Sequence, residues 1–366
     1  MAADDTALAE RRRAARNGVR RGLSGHALQT PREVLARLAA ADPGESLDRY
    51  GQDGVVGDLE AEVAELLGKP AAVFMPSGIM AQQCALRVWS DRVGSPRIAL
   101  HGLSHLIVHE LDALPSLHHL QPEHLTDEPR QPTPRDLAAL PGRLGAATLE
   151  LPLRDAAYRL PTWDELVAFA EACRTRGVPL HLDGARLWES QPYLAHSHAE
   201  IAALADSVYV SFYKGLAGIA GAALAGPEDM IAEARRWQRR HGGNLFSLLP
   251  YAVLAREGLH THLPRMGEYH DAAAGLATQL SAAGMRVVPD PPHTNAFCVY
   301  VEGDEAAVNE RLLQHAEQER EAVMSYLSAA VTPGWLWAEF SVGAATIEAG
   351  IDTVAKTMAR LLLADE

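Results

Sequence analysis

The chain has 366 residues, of which 48% are hydrophobic and 22% are charged, the balance expected of a globular protein with roughly two domains. Its formal charge of −14 repels phosphate backbones and anionic lipid surfaces, so neither nucleic acid nor a membrane is an expected partner. With three cysteines that form no close pair, and with no secretory leader or span of about 18 apolar residues, we expect a protein of the reducing cytoplasm.

The N-terminal segment, residues 1–48, is predicted to be a polar arm followed by a short helix at 31–41. A turn-rich stretch then leads into a helix at 58–67. Beyond it, short apolar runs alternate with helical patterns, one of them at 80–89, and predict buried strands at 71–75, 97–100, 146–151, 179–182, 207–210 and 221–224. This alternation indicates a mainly parallel sheet covered by helices, in a large domain over 49–243.

Two later segments complete the predicted organisation. Residues 121–141 contain five prolines and are predicted to be a surface connection within the large domain rather than a second fold. After an arginine-rich helix at 229–240, the remainder, 244–366, is predicted to form a smaller α+β domain. Its expected elements are strands at 285–288, 296–301 and 337–342 and helices at 304–319 and 347–363.

Opposite charges follow two of the predicted strands of the large domain. Asp183 lies at the end of the strand His181-Leu182, and Lys214 follows the strand at 207–210. Because parallel strands end at the same edge of a sheet, we expect the two side chains to converge there. Only three of the 33 basic residues are lysines. Lys69 follows the end of a predicted helix and Lys356 lies in the predicted terminal helix, whereas Lys214 follows a buried strand.

A buried lysine beside a carboxylate suits one particular cofactor. A desolvated lysine amine can form a Schiff base with a carbonyl compound, and pyridoxal phosphate also needs a carboxylate at its pyridine nitrogen. Ser77 and Gly78, between a strand and a helix, offer backbone N–H groups and a hydroxyl for the phosphate. This turn alone is more often a simple helix cap.

Other patterns compete with this interpretation. His101, His105 and His109 have the spacing of metal ligands on one helix, with Glu110 nearby, but Gly102 interrupts the helix and we expect no metal. The glycines at 215, 218 and 221 lack the strand and helix of a dinucleotide loop. For His181, a hydrogen-bonded buried histidine and a catalytic one remain open, and the arginines at 235, 236, 239 and 240 form either a solvated face or contacts to a neighbouring subunit's phosphate.

Several motifs together resemble one family. They are Tyr50-Gly51-x-Asp53, Pro76-Ser77-Gly78-x-Met80-Ala81, Ser104-His105, His181-x-Asp183-Gly184-Ala185-Arg186-Leu187 and Ser211-x-x-Lys214-Gly215-Leu216. In this order, over residues 24–243, they resemble the threonine aldolase and β-eliminating lyase family of fold-type-I pyridoxal phosphate enzymes. The resemblance implies an α/β fold with a mainly parallel sheet in the large domain and a smaller C-terminal α+β domain.

The resemblance also implies roles for individual residues. Lys214 would form the Schiff base, Asp183 would pair with the pyridine nitrogen, and His105 would stack on the cofactor ring and handle the proton of the substrate's β-hydroxyl. The other implied cofactor contacts are Arg186, Ser77, Gly78 and Ser211, and the implied substrate contacts are Ser24, Tyr50 and Arg186. Arg154 is a further candidate substrate contact.

The chain departs from the family pattern at four places. Ile79 stands where a threonine is common, and Leu151-Pro152-Leu153-Arg154 stands where many aldolases carry a second histidine. No arginine follows Gly242-Gly243, and none occupies the last strand near 337–340, where the family's carboxylate clamp is expected. Arg154 is the candidate replacement for the missing histidine.

The function expected from the resemblance is cleavage of the Cα–Cβ bond of a β-hydroxy-α-amino acid such as threonine, giving glycine and an aldehyde. One alternative is β-elimination or other carbanion chemistry on a different amino acid. A second is a catalytically silent protein that keeps the cofactor fold. The resemblance further implies a homodimer or homotetramer.

Overall fold

The computed structural model describes residues 2–44 and 46–363, which form two compact units. The larger unit is Val34–Met266, and the smaller one joins the residues up to Glu33 with those from Gly267 onwards. These bounds differ from the predicted domain limits at residues 48 and 243, which stay a prediction.

The strands of the described chain are short, and most coincide with predicted apolar runs. In chain order they are β1 (Arg21–Gly22), β2 (Ala71–Met75), β3 (Arg97–Leu100), β4 (Gln121–His124), β5 (Ala146–Glu150), β6 (Leu180–Gly184), β7 (Ser207–Ser211), β8 (Ala222–Gly226), β9 (Arg286–Val288), β10 (Ala296–Glu302), β11 (Glu321–Ala322), β12 (Ser328–Ala329) and β13 (Trp335–Ser341).

The helices occupy most of the intervening segments. They are α1 (Ala2–Gly18), α2 (Pro31–Ala40), α3 (Gly54–Leu66), α4 (Gly78–Val93), α5 (His105–Val108), α6 (Ala113–His118), α7 (Pro134–Ala139), α8 (Trp163–Arg176), α9 (Leu187–Leu194), α10 (His198–Ala203), α11 (Glu228–Arg240), α12 (Leu249–His262), α13 (Met266–Ala282), α14 (Glu305–Glu319), α15 (Ala344–Ala349) and α16 (Ile351–Leu362). Two 3₁₀ turns are added at Arg154–Ala156 and Leu263–Arg265.

The larger unit is built on a seven-stranded sheet with the order β2-β8-β7-β6-β5-β3-β4. Strand β8 pairs antiparallel with both of its neighbours, and the pairs from β7 to β4 are parallel. Every residue of β5, β6, β7 and β8 is buried, as expected for strands covered on both faces. The predicted mainly parallel α/β sheet is therefore confirmed.

This topology determines where polar side chains meet. Strands β3, β5, β6 and β7 are neighbours and run in the same direction, so the segments that follow them emerge at one edge. Residue pairing places Glu150 opposite Asp183 and Asp183 opposite Tyr209 at that edge. The carboxyl edge of a parallel sheet is the usual place for a ligand site.

The smaller unit contains a four-stranded antiparallel sheet with the order β12-β13-β10-β9, together with the short parallel pair β1-β11. Helices α13 to α16 accompany it along the chain. The expected α+β character of the C-terminal part agrees with this arrangement. The predicted helix at 347–363 is interrupted at Gly350, whose φ of 83° ends α15 before α16 begins.

Residues 121–141 lie within the larger unit and contain two regular elements that the sequence analysis did not predict. Strand β4 pairs parallel with β3 at the edge of the sheet, and α7 begins with a capping box between Thr133 and Asp136. Proline is tolerated in an edge strand because the strand has no neighbour on one side, and Pro134 fits the first turn of a helix. The five prolines of this segment are therefore compatible with both elements, although they made a strand and a helix difficult to predict from the sequence.

Two further differences concern the N-terminal half. The segment predicted as a polar arm contains helix α1, and the helix predicted from residue 58 begins four residues earlier, at Gly54. Among the described residues, no helix is both long and apolar enough to cross a membrane.

Candidate active site

Lys214 lies at the carboxyl edge of the sheet, three residues beyond β7, as its sequence position predicts. Its side chain is half-buried, and within the described residues its Nζ atom has no hydrogen-bond or ion-pair partner. Nζ lies 6.0 Å from the centre of the Tyr213 ring. Burial lowers the pKa of Lys214, while the charge of Asp183 acts in the opposite direction. A larger neutral fraction makes this amine a better nucleophile.

Asp183 is buried at the end of β6, with 2% of its surface exposed. One carboxylate oxygen accepts a hydrogen bond from the Gln82 side-chain amide, and the other accepts the Ala185 N–H at 3.1 Å. Burial raises the pKa of Asp183, and the positive charge of Lys214 opposes that rise. The two predicted charges thus influence each other within one site.

His105 is held from two directions. Its Nδ1 atom lies 3.0 Å from a carboxylate oxygen of Glu110, and its backbone N–H donates to Glu150 at 2.8 Å. The Glu110 carboxylate raises the pKa of His105, whereas burial lowers it, and the charges of Asp183 and Lys214 also act on the ring. His105 therefore belongs to the same site as the predicted pair.

Glu150 is a further carboxylate of the site that the sequence did not single out. It ends β5 beside Asp183 and accepts backbone N–H groups from His105 and Arg154. Burial, and secondarily the charge of Asp183, raise the pKa of Glu150 to about 8. The two backbone N–H groups that Glu150 accepts oppose this rise in its pKa.

Ser77 and Gly78 begin helix α4. The Ser77 hydroxyl accepts the Met80 N–H at 3.3 Å, which caps the helix. A Cβ atom on Gly78 would lie 1.9 Å from the Tyr209 hydroxyl oxygen, so only glycine fits. Among the described residues the Gly78 and Ile79 N–H groups of this first turn have no acceptor, which is the arrangement that an anion such as a phosphate requires.

Arg186 follows β6 and contacts residues that the sequence analysis left aside. Its guanidinium lies 5.3 Å from the Tyr158 ring centre, and one nitrogen lies 3.5 Å from the buried Glu189 carboxylate. Burial raises the pKa of Glu189, and the Arg186 charge opposes this. Ser211 is fully buried at the end of β7, where its carbonyl accepts the Trp188 indole N–H at 2.9 Å.

Arg154 lies in a second polar cluster next to His105. The Arg154 guanidinium lies 3.3 Å from His109 Nε2. His109 Nε2 also lies 2.8 Å from the Asp155 carboxylate. The rings of His105 and His109 are 5.1 Å apart. A second histidine is thus present beside His105, although it directly follows α5 rather than β5.

Tyr50 and Ser24, the two other predicted substrate contacts, each have neighbours of their own. Tyr50 is exposed, with φ of 55°, and its ring packs edge-on against Phe246. Tyr50 also lines a pocket of about 450 Å³ together with arginines 49, 235, 236 and 239. Ser24 belongs to the smaller unit, where its hydroxyl donates to the Ser341 carbonyl at 3.1 Å. Their substrate roles stay predictions.

The three regularly spaced histidines do not form one face of a helix. His101 directly follows β3, and its Nε2 atom lies 2.9 Å from each of the carbonyl oxygens of Glu128 and Arg130. Among the described residues no group of three or more His, Cys, Asp or Glu side chains has the arrangement of a metal site.

Gln82 is the main residue of the site that the sequence analysis missed. It lies four residues after Gly78 in α4 and is 1% exposed, among apolar neighbours such as Ala81 and Ala85. The signal for Gln82 in the sequence was a polar side chain on a helix face that is otherwise apolar and covers a sheet.

Comparison with known proteins agrees with this geometry. The sequence profile described as "Beta-eliminating lyase" matches residues 29–304. The chain belongs to the β-eliminating lyase family. The family predicted from the motifs is thereby confirmed, and with it membership of a group of lyases that use pyridoxal phosphate.

Individual relatives are similar over most of their length. The low-specificity L-threonine aldolase of Escherichia coli O157:H7 is 30% identical over 282 residues, which cover 75% of this chain and 83% of that one. A Listeria monocytogenes structure, provisionally described as an L-allo-threonine aldolase, is 38% identical with a TM-score of 0.89 and covers 96% of this chain and 98% of its own. A provisionally described aromatic amino acid β-eliminating lyase or threonine aldolase from Exiguobacterium is also 38% identical, with a TM-score of 0.87, and covers 94% of this chain and 99% of its own.

The residues of the site suit pyridoxal phosphate. An amine without a partner stands at the same sheet edge as a buried carboxylate, and the first turn of α4 offers N–H groups where only glycine fits. These are the three groups that the aldehyde, the pyridine nitrogen and the phosphate require.

Proposed function

We propose that this chain is a pyridoxal phosphate-dependent aldolase that cleaves the Cα–Cβ bond of a β-hydroxy-α-amino acid, such as threonine, into glycine and an aldehyde. The observation that carries the proposal is the unpaired Lys214 amine at the sheet edge that also holds Asp183. Two of the relatives are described as low-specificity L-threonine aldolases, which supports this substrate class.

Four parts of the chain would hold the cofactor. Lys214 would bond to its aldehyde carbon, Asp183 would pair with its ring nitrogen, and Ser77 with Gly78 would bind its phosphate. Arg186 would lie near its phenolic oxygen, with Ser211 close to Lys214. When bound, pyridoxal phosphate supplies an electron sink for the electrons of the broken bond.

His105 would take the proton of the substrate's β-hydroxyl. Its Nδ1 atom is occupied by Glu110, so Nε2 is the nitrogen left for substrate. A base whose pKa lies near the working pH transfers protons efficiently. The neighbouring His109 and Arg154 would bind the substrate, with Arg154 in the role predicted for it, and Ser24 and Tyr50 would contribute to carboxylate binding.

The setting of the enzyme is part of the proposal. We infer that the enzyme is cytoplasmic, because three buried free thiols suit a reducing compartment. We also infer that it is a homodimer or homotetramer. The exposed rings of Tyr50 and Phe246 suit a subunit interface.

Product analysis tests the reaction. The purified enzyme with pyridoxal phosphate and threonine is expected to release glycine and acetaldehyde in equal amounts, and Lys214→Ala is expected to lose at least about a thousandfold in rate. Release of ammonia and a keto acid instead would favour β-elimination. Binding of pyridoxal phosphate without turnover of any β-hydroxy amino acid would identify a silent binding protein.

A further inference from the structure

A chain of buried hydrogen bonds runs from Asp183 into the core behind the sheet. Gln82 donates to Asp183, and the Gln82 carbonyl oxygen lies 2.8 Å from His181 Nε2. His181 Nδ1 lies 2.8 Å from the Ser207 hydroxyl, and Ser207 in turn receives the Trp89 indole N–H at 2.8 Å. All five side chains are at least nine-tenths buried.

The direction of every hydrogen bond in this network follows from the Trp89 indole, which lies at one end of it. An indole nitrogen can only donate, so the Ser207 oxygen accepts from Trp89 and its single hydrogen is free for His181 Nδ1. Nδ1 is therefore the bare nitrogen, and Nε2 carries the hydrogen that it donates to the Gln82 oxygen. The Gln82 amide then presents its N–H to Asp183, which must accept.

The reverse arrangement leaves groups unsatisfied. If His181 carried its hydrogen on Nδ1, the Ser207 hydroxyl hydrogen would have no acceptor within the network. Gln82 would have to turn its oxygen towards Asp183, which is favourable only for a protonated Asp183. An orphaned buried polar group costs more than a hydrogen bond gains, so the network favours one orientation.

We propose that Gln82, His181 and Ser207 are positioning residues that keep Asp183 a hydrogen-bond acceptor, with Trp89 setting their polarity from the core. An ionised Asp183 is the form that pairs with a protonated pyridine nitrogen, so the value of this device for catalysis rests on the proposed function. The polarity of the network itself does not depend on any cofactor.

The first test measures that polarity directly. In full-length protein labelled with ¹⁵N-histidine, the His181 signals are assigned by their absence in His181→Gln. We expect Nε2 to be protonated and Nδ1 to be bare, without titration between about pH 5 and 8. An Nδ1–H form, or a histidine that titrates in this range, would overturn the proposal whether or not the protein binds pyridoxal phosphate.

The second test compares two hydroxyls on either side of His181. Strand pairing places Ser207 and Thr148 opposite His181 on its two neighbouring strands, but the Thr148 hydroxyl has no hydrogen-bond partner among the described residues. Ser207→Ala is expected to raise the dissociation constant of pyridoxal phosphate about tenfold, and Ser207→Thr, which keeps the hydroxyl, should restore it. Thr148→Val is the matched control and should bind as the wild type does.

The outcomes separate the positioning role of the network from the proposed function of the protein. Equal affinities for Ser207→Ala and Thr148→Val would contradict the positioning role. If wild-type protein binds no pyridoxal phosphate, the proposed function fails, and the histidine signals still decide the polarity of the network. Thermal unfolding of each variant identifies a change that comes only from loss of fold.

Discussion

At the scale of single residues, the chemistry depends on what surrounds each charged group. Within the described part of the chain the Lys214 amine has no hydrogen-bond or ion-pair partner, whereas two hydrogen-bond donors hold Asp183 and a carboxylate holds His105. The types and sequence positions of these three residues were predictable from their motifs. Gln82 was not singled out, because its contact with Asp183 joins segments that are distant in the sequence. Glu110 was considered only as an oxygen donor to a metal, and its contact with His105 was not predicted.

The Glu110 contact makes a prediction about pH. Because the carboxylate raises the pKa of His105, the base form is lost as the pH falls through a value above the ordinary one of about 6.5. In Glu110→Gln this pKa falls, so the acid limb of the kcat/KM profile should move to lower pH. Kinetics over a range of pH measure the shift.

Asp155, which contacts the neighbouring His109, offers a matched control for this substitution. Asp155 pairs with His109 at 2.8 Å in the same way, and Asp155→Asn should leave the acid limb where it is in the wild type. A limb that stays unchanged in Glu110→Gln would show that His105 is not the titrating base.

At the scale of elements, the parallel strands were predictable because buried strands are short continuous apolar runs. The strands of the sheet centre lie within one or two residues of their expected bounds, whereas β4 and α7 were missed among prolines. Helix starts were less predictable than strands, since α3 begins at Gly54 and α4 at Gly78 through caps and close contacts rather than through apolar periodicity.

The start of α4 offers a test of such a contact. Gly78→Ala places a Cβ atom against the Tyr209 hydroxyl, so we expect a loss of about 1–3 kcal/mol in the free energy of unfolding and weaker binding of pyridoxal phosphate. Denaturant unfolding and a cofactor titration measure the two effects.

Gly57 serves as the control for this substitution. It lies inside α3, and nothing stands within 4 Å of where its Cβ would be, so Gly57→Ala should leave binding unchanged and stability equal or slightly higher. The contact at Tyr209 would be unimportant if both alanine variants behaved alike.

At the scale of the whole molecule, the sequence was sufficient for the fold class and the family, and the matched profile over residues 29–304 confirms them. The limits of the compact units were less accessible, because the N-terminal residues up to Glu33 group with the C-terminal ones. A grouping of sequence-distant segments depends on tertiary contacts that a linear pattern does not contain.

The proposed oligomer makes a prediction at this scale. Phe246 is 61% exposed and touches the exposed ring of Tyr50, which is unfavourable unless another surface covers them. We expect wild-type protein to sediment as a dimer or tetramer and Phe246→Asp to shift towards the monomer.

The control is the fully exposed Val331, where Val331→Asp should leave the mass unchanged. Sedimentation at several protein concentrations measures both variants. A Phe246→Asp protein with the wild-type mass would remove this surface from the interface.

The role of Lys214 can be tested most directly by chemical trapping. Borohydride reduction of the protein with pyridoxal phosphate, followed by peptide mass spectrometry, is predicted to place a pyridoxyl group on Lys214 and on neither Lys69 nor Lys356. A stable adduct at another lysine, or no adduct at all, would contradict the account.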